Sequence, residues 1–544
     1  MVITYLDRLG NENMNVAEYI VTKLVEHKVD TVFGYQGGNI TYMIDAISQK
    51  DGISYVQTYN EQGAAFAANA YAQVSQKFGV AISSSGPGAI NMINGVANAY
   101  FDSIPCLFIT GNINTAAMKD SDLIRQNGFQ EADIVSMVKG ITKYATTIME
   151  ADAVPEILEH ALKLMREGRP GPVLLDIPHN IQRTEVTSAK NIETDTLEND
   201  VKAFNASEIW NLVKVAKRPV LLLGNGSRDR ESKAYIKALL DKIPMPVVSS
   251  LCGKDVLDNQ HFCYRGMVGS YGLPYTNKVV QEADFVLVLG SRLDERQRSV
   301  GIEDFLGSAT VVHVDIDEHE LGHVKKNEIQ VHALVKDFLR EFLKGADASL
   351  DYKEWLQLTE EWKNEELPDS CWIYGKKVRD KLIQLLGTDI RDCVVTVDVG
   401  NHQMAAAQAL YIGENSYYLN SAGLGSMGYA LPAAVGASYA NEGRKVICIA
   451  GDGGMMMNVQ ELQVIAREQL PVAIVIVNNQ GLGMIENYQK LAFEGRLYGA
   501  RWGYSAPDFK KLAESFGFEY YNAKEINDNA WLEKNQPVIV EIEV

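Results

Sequence analysis

A chain of 544 residues is too long for one hydrophobic core, so two to four domains are expected. The composition, 46% apolar and 22% charged, is that of a globular protein and excludes a disordered or fibrous chain. A net charge of −19 disfavours nucleic acid or an anionic membrane as partner, and means that any phosphorylated ligand needs local backbone N–H groups, a metal or a few cations.

The N-terminal "MVITYLDRLGNENMN" lacks the basic-then-apolar pattern of a signal peptide, and no uninterrupted apolar run is long enough to span a bilayer. From about residue 15, short β-rich runs alternate with amphipathic helices, the pattern of parallel α/β sheets. The first block, 15–185, has the strand candidates "TVFGY", "ISYVQTY", "GVAISSS", "IPCLFIT" and "GPVLLDIP". The polar stretch "RTEVTSAKNIETDTLEND" then reads as a linker. The second block, 200–345, offers "PVLLLGNGS", "MPVVSS", "ADFVLVLGSR" and "TVVHVDID". A charged helical segment, "DYKEWLQLTEEWKNEEL", leads to the third block, 370–544, with "CVVTVDVG", "KVICIAGDGG", "VAIVIVNNQG" and "PVIVEIEV". Such strands are apolar throughout because helices cover both sheet faces. The expected fold is therefore α/β, with three doubly wound parallel-sheet domains. The six cysteines, Cys106, Cys252, Cys263, Cys371, Cys393 and Cys448, form no CxxC pair, which points to reduced thiols in a cytoplasm rather than a disulfide frame or a zinc site.

In open α/β sheets ligands sit at the carboxyl ends of the strands, so the residues after each strand are the candidates for chemistry. Asp452 follows "KVICIA", and Asn478-Asn479-Gln480-Gly481 follows "VAIVIV". If these strands are neighbours, a carboxylate and an amide oxygen share one crevice. With helix N-terminal amides beside them, they suit Mg²⁺ on a diphosphate, and Gly453 and Gly454 admit the phosphates closely. A GDG alone also reads as a strand-to-helix turn; the following NN favours the metal site. In "VDVGNHQM", Val399, Gly400, Asn401 and His402 offer amides and a neutral imidazole to a phosphate, or else a helix start with Asn401 as N-cap. Glu61, where "YVQTY" gives way to an Ala-rich helix, is either a partly buried carboxyl suited to exchanging a proton or a first-turn Glu favoured by the helix dipole. "SSSGPGAINM" is a Gly/Pro turn opening a helix, and Phe129, Gln130 and Glu131 stand at what reads as another helix entry.

The set resembles the thiamine diphosphate (ThDP) dependent enzymes, closest to the acetolactate synthase catalytic subunit, over nearly the whole chain. The superfamily signature is carried by "GDGGMMMNVQELQVIAREQLPVAIVIVNNQG", and the subfamily by "NEQGAAFAANAYAQ", "NGFQEADIVSMVKGITKYA", "GSRLDERQ", "VDVGNHQMAAAQ" and "LGSMGYALPAAVGA". The resemblance implies pyrimidine-binding, central and diphosphate-binding domains. It implies Mg²⁺ held by Asp452, Asn479 and the Gly481 carbonyl, and diphosphate contacts from Val399, Gly400, Asn401, His402, Gly453 and Gly454. Met427 and Met484 would touch the cofactor, and Glu61 of a second subunit would hydrogen-bond its aminopyrimidine. Gly37 and Gln130 would line the substrate side with Phe129, Lys143 lies in the matching "ITKY" segment, and Arg296 would receive the carboxylate of a 2-keto acid acceptor, bidentately. The implied reaction is decarboxylation of pyruvate and transfer of the two-carbon unit.

The paired histidines by which simple decarboxylases of the superfamily protonate the product have no counterpart, since His27, His160 and His179 stand isolated in the first block. The sequence departs from the synthases at Gln36, Glu295 and Tyr488, and at its end in "PVIVEIEV", where they usually continue; a more open site and a bulkier acceptor are the expectation there. A keto-sugar acceptor, a C–C lyase or hydrolase, and a non-enzymatic homologue are the alternatives. The resemblance leaves FAD in the central domain open, as it does a small regulatory subunit and a homodimer or homotetramer.

Overall fold

The computed structural model describes residues 14–121, 123–187, 202–298, 305–367, 376–441, 443–526 and 529–544. From residue 188 the expected linker lies outside them. Three six-stranded sheets, all of parallel pairing, account for the alternation. The first holds β1 (Thr31–Gly34), β2 (Ser54–Gln57), β3 (Gly79–Ser83), β4 (Cys106–Asn112), β5 (Tyr144–Thr147) and β6 (Val173–Pro178), in the order β2-β1-β3-β4-β6-β5. The second holds β7 (Pro219–Leu223), β8 (Val247–Ser249), β9 (Tyr264–Met267), β10 (Phe285–Leu289), β11 (Thr310–Asp315) and β12 (Ile329–His332), in the order β12-β11-β10-β7-β8-β9. A two-stranded pair, β13 (Asp389–Ile390) and β15 (Tyr411–Ile412), accompanies the third sheet. That sheet takes β14 (Cys393–Val397), β16 (Tyr417–Asn420), β17 (Lys445–Gly451), β18 (Val472–Asn478), β19 (Glu519–Asn522) and β20 (Val538–Glu543), in the order β16-β14-β17-β18-β20-β19. Counted within its own block, its strand order is that of the first sheet, so the first and third blocks are one topology used twice.

Each order has a switch point, where successive crossovers leave in opposite directions and a crevice opens at the carboxyl ends. It lies between β1 and β3 in the first sheet, β7 and β10 in the second, and β14 and β17 in the third. The inner strands are buried on both faces, as their unbroken apolar runs require: Val220–Leu223, Val286–Leu289 and Val472–Val477 are each buried throughout. Five of the six-stranded sheets' strands escaped the sequence reading, β5, β9, β12, β16 and β19, and each is a sheet edge.

The chain forms two compact units. One comprises Met1–Glu198, Gly423–Glu442 and Asn458–Glu468; the other comprises Asn199–Ala422, Gly443–Met457 and Gln469–Val544. The ranges 15–185, 200–345 and 370–544 each enclose one large sheet, but two segments of the last range pack in the first unit. There the helix Glu61–Ser75 lies buried, and its small residues set how closely its neighbours approach. A Cβ at Gly95 would strike Ala65, one at Gly79 the Ala68 backbone, and one at Gly436, on the helix Ala430–Ala440, the Ala67 carbonyl. Glycine at those three positions is a packing requirement. The helix Val16–Glu26 opens on a complete capping box, in which Asn15 Oδ1 accepts from Glu18 N at 3.0 Å and Glu18 Oε2 from Asn15 N at 2.9 Å.

Candidate cofactor-binding and catalytic sites

In the second unit, the residues after β14 and β17 meet at the switch point of the third sheet. Two buried side chains, Asp398 and His402, fill the spaces that Cβ atoms would need. A Cβ on Gly400 or Gly451 would lie 2.6 or 2.9 Å from the His402 ring, and one on Gly454 would lie 2.9 Å from Asp398 Cγ. Gly400 also has φ 153°, a backbone conformation glycine tolerates and other residues avoid. The Asp398 carboxylate accepts from Val399 N at 2.7 Å and so shapes the turn.

Gly400, and not Asn401, is the N-cap of the helix Asn401–Ala409. Asn401 is the first helical residue, which turns its amide away from capping and into the protein. Its Nδ2, His402 Nε2 and, at the end of neighbouring β16, Asn420 Oδ1 are buried polar atoms without a partner. Burial pushes the His402 imidazole down to about 4, so the ring is neutral at pH 7. Unpartnered buried polar groups are costly, and these three, at the ends of the paired strands β14 and β16, are groups that a polar ligand at the strand ends could satisfy.

β17 and β18 are neighbours, with Gly451 paired to Val477, and this brings Asp452 to the loop after β18. Asp452 Oδ2 accepts from Gly481 N at 3.2 Å and from Tyr504 Oη at 3.1 Å. Burial raises the pKa of this carboxyl, opposed by those hydrogen bonds. Of the Asn pair, Asn478 donates to Glu541 at 2.6 Å, and Asn479 lines the neighbouring cavity. Arg501 fixes the loop by donating to the carbonyls of Asn479 at 2.6 Å and Gln480 at 3.1 Å, with Glu486 at 2.8 Å behind it. A cavity of about 280 Å³ beside Asn479 is lined by Gly483, Glu486, Lys490 and Arg501. One carboxylate, one amide and a carbonyl are what Mg²⁺ needs when a diphosphate and water complete its shell. Met484 is half-buried on the helix Gly483–Ala492, which also presents Tyr488, 61% exposed. Arg296 stands exposed on a turn capped by Asp294, its guanidinium 6.0 Å from the Tyr271 ring.

In the first unit, the loop after β3 organises the other candidates. Gly37, after β1, backs onto Ser84, where a Cβ would lie 2.5 Å from the serine Cβ. Glu61 is the first residue of its helix and only 9% exposed; its Oε2 accepts from Asn91 Nδ2 at 3.0 Å. Gln130 sits not at a helix entry but in a turn, with φ 64°, its carbonyl against Gly86; the helix begins at Ile134 and is capped by Asp133. Phe129 beside it is 85% exposed. Glu131 accepts from three backbone N–H groups, of Lys119, Asn127 and Gly128, and so builds the turn that carries Gln130. Gly37, Glu61 and Gln130 thus share the segment Ser84–Asn91. Lys143 lies elsewhere, its ammonium spent on the carbonyls of Glu167 and Arg169. Met427 is half-buried in the turn before the helix Ala430–Ala440.

Three family models cover most of the chain: Thiamine pyrophosphate enzyme, N-terminal TPP binding domain (residues 14–137), central domain (206–342) and C-terminal TPP binding domain (398–542). Relatives align over nearly the full length. Acetolactate synthase isozyme 1 large subunit of Escherichia coli (strain K12) is 35% identical over 517 residues, 92% of this chain and 88% of its own. Isozyme 2 large subunit of the same organism is 36% identical over 93% of this chain and 90% of its own. The acetolactate synthase large subunit of Lactococcus lactis subsp. lactis (strain IL1403) is 33% identical over 97% and 92%. The chain belongs to the acetolactate synthase large-subunit family of thiamine pyrophosphate enzymes. Thiamine pyrophosphate is ThDP, and the C-terminal model begins at Asp398, where the switch-point crevice begins.

Four residues that the structure sets among these candidates were not singled out by the sequence reading: Asp398, Asn420, Arg501 and Tyr504. Asp398 stood in the quoted "VDVGNHQM" and could have been found by the strand-end rule. The others carry no local signal, since Asn420 closes an edge strand and Arg501 and Tyr504 lie in a loop more than 20 residues after Asn479.

Proposed function

We propose that the protein is a ThDP- and Mg²⁺-dependent carboligase of the acetolactate synthase type, which decarboxylates pyruvate and transfers the two-carbon unit to a second 2-keto acid. The observation that carries this reading is Asp452 held against the Asn479–Gly481 loop, together with the unpartnered atoms Asn401 Nδ2 and His402 Nε2 after the neighbouring strand. Bound ThDP would supply the electron sink for decarboxylation. Asp452, Asn479 and the Gly481 carbonyl hold the metal. Val399, Gly400, Asn401, His402, Gly453 and Gly454 line the diphosphate, with Met427 and Met484 against the cofactor's apolar body. Glu61 of a second subunit exchanges a proton with the aminopyrimidine, Gly37 and Gln130 line the acceptor side, and Arg296 takes the acceptor's carboxylate. The enzyme is a cytoplasmic homodimer or homotetramer, and a small regulatory subunit is, like FAD, an optional component. For FAD, the strand order of the second sheet is that of dinucleotide-binding domains, and Gly224, Gly226 and Gly290 bring the loops at its switch point into backbone contact. The visible absorbance of the purified protein decides whether flavin is held.

The test is incubation with ThDP, Mg²⁺ and labelled pyruvate, with and without added carbonyl acceptors, followed by NMR. Acetolactate without an added acceptor is the expected result. Acetaldehyde alone would mean that the site protonates the two-carbon unit, and product only with a keto-sugar would move the acceptor to the bulkier alternative. Absence of any pyruvate turnover would sink the reading.

A further inference from the structure

The first unit contains a buried carboxylate that the proposed chemistry does not use. Glu461 is fully buried on the 3₁₀ turn Val459–Glu461. Both of its oxygens accept from Tyr59 N, each at 3.2 Å, and the Asn60 N–H also bonds this carboxyl. These are the last two amides before the helix that starts at Glu61.

Asn60 is that helix's N-cap, its side chain accepting from Gln62 N at 2.8 Å. In a capping box the return bond to the N-cap N–H comes from a carboxylate at the third helical position, as Glu18 supplies it for Asn15. The third helical position here is Gly63. A Cβ on Gly63 would lie 2.5 Å from Glu461 Oε1 and 2.8 Å from its Cδ. The place of a local capping carboxylate is therefore occupied by one from 398 residues further along the chain.

We infer that Glu461 is a positioning residue for Glu61: it completes the cap of the helix from outside and so fixes the direction in which the Glu61 carboxyl leaves the first turn. This rests on the proposed role of Glu61. The argument is geometric. Glu61 is the first helical residue, so its backbone dihedrals are set by the peptide units that Glu461 holds. Its side-chain hydrogen bond from Asn91, the one it makes among the described residues, orients the carboxyl only if the backbone beneath it is fixed. Misplacement of a catalytic group by about 1 Å is enough to cost on the order of 100-fold in rate.

Three variants of the full-length holoenzyme test this, beside Glu61→Gln as reference. Glu461→Gln keeps shape but sets an NH₂ against an N–H donor. Its kcat should fall roughly 10- to 100-fold, with the pyruvate KM within about threefold of wild type. Gly63→Ala, which alters no ionisable group, should show the same split because its methyl displaces the Glu461 carboxylate. The double variant Gly63→Ala/Glu461→Ala refills the space; melting temperature should recover while kcat stays low. Hydrogen–deuterium exchange of the apoprotein gives a readout independent of turnover: the Tyr59 and Asn60 amides should exchange about tenfold faster or more in Glu461→Gln. Recovery of kcat in the double variant, or unchanged exchange and kcat in Glu461→Gln with Glu61→Gln inactive, would overturn the inference alone. Full turnover by Glu61→Gln would instead remove the reading on which it rests.

Discussion

Asp452 and Glu461 are nine positions apart in sequence and do opposite things with a buried carboxylate. Asp452 sits at a strand end and is proposed to hold the cation; Asp452→Asn should weaken Mg²⁺–ThDP binding by about 100-fold or more, read by calorimetry, with little change in melting temperature of the apoprotein. Glu461 sits against backbone amides, and burial pushes its carboxyl up to about 7. A raised acid keeps its proton in the folded chain while the unfolded chain has lost it. Its contribution to stability is therefore fully present below about pH 4.5 and declines as pH rises towards 7. Denaturant unfolding of wild type and Glu461→Gln over this window should show wild type losing up to about 3 kcal/mol relative to the variant. A constant difference between the two would refute the assignment. Asp452 was legible from sequence because its chemistry is advertised locally, by an apolar strand followed by GDG. Glu461 was not, because its partners are Tyr59 and Asn60, and no periodicity or spacing within "NVQEL" reports a contact so distant along the chain.

At the level of elements, what sequence shows is burial on two faces. β1, β3, β4, β7, β10, β14, β17 and β18 read as apolar runs because helices cover both sides of them. The strands that escaped are edges with one hydrogen-bonding side unpaired, such as "YATT", "IQVH" and "EYYN", whose composition is that of many loops. The switch points were hidden for the same reason: they follow from strand order, and order is not written in any single strand. Once the order is known, the Gly37, Glu61 and Gln130 loops and the Asp398–His402 and Asp452–Gly454 loops fall where ligands bind. Helix contacts were half legible. "AAFAA" announced a small-residue face, but not that Gly436 lies against the Ala67 carbonyl. Gly436→Ala forces those helices apart and should destabilise the first unit by about 1–3 kcal/mol, visible as a lower melting temperature before any loss of metal binding. An unchanged melting temperature would mean the helices are not in contact at that residue.

For the whole molecule, the proposed sharing of the site between subunits predicts that specific activity falls on dilution in step with dissociation, measured by activity and sedimentation over one concentration series. Constant activity of an isolated monomer would contradict it. The division of the chain into units carries a different consequence. The boundaries are crossed five times, at 198, 422, 442, 457 and 468, and the N-terminal unit takes its last segment from Asn458–Glu468. During synthesis the first sheet is finished early, yet the Ala-rich helix must wait for the glycine-bearing helix at 430–440 and for the carboxylate at 461. At ordinary elongation rates of about 5–20 residues per second, the 270 residues between Glu198 and Glu468 take roughly 15–50 s. Over that interval the helix is covered by its own sheet and by the helix Pro87–Phe101, but not by the segments 423–442 and 458–468, so a chain ending near residue 198 should melt well below the full-length protein.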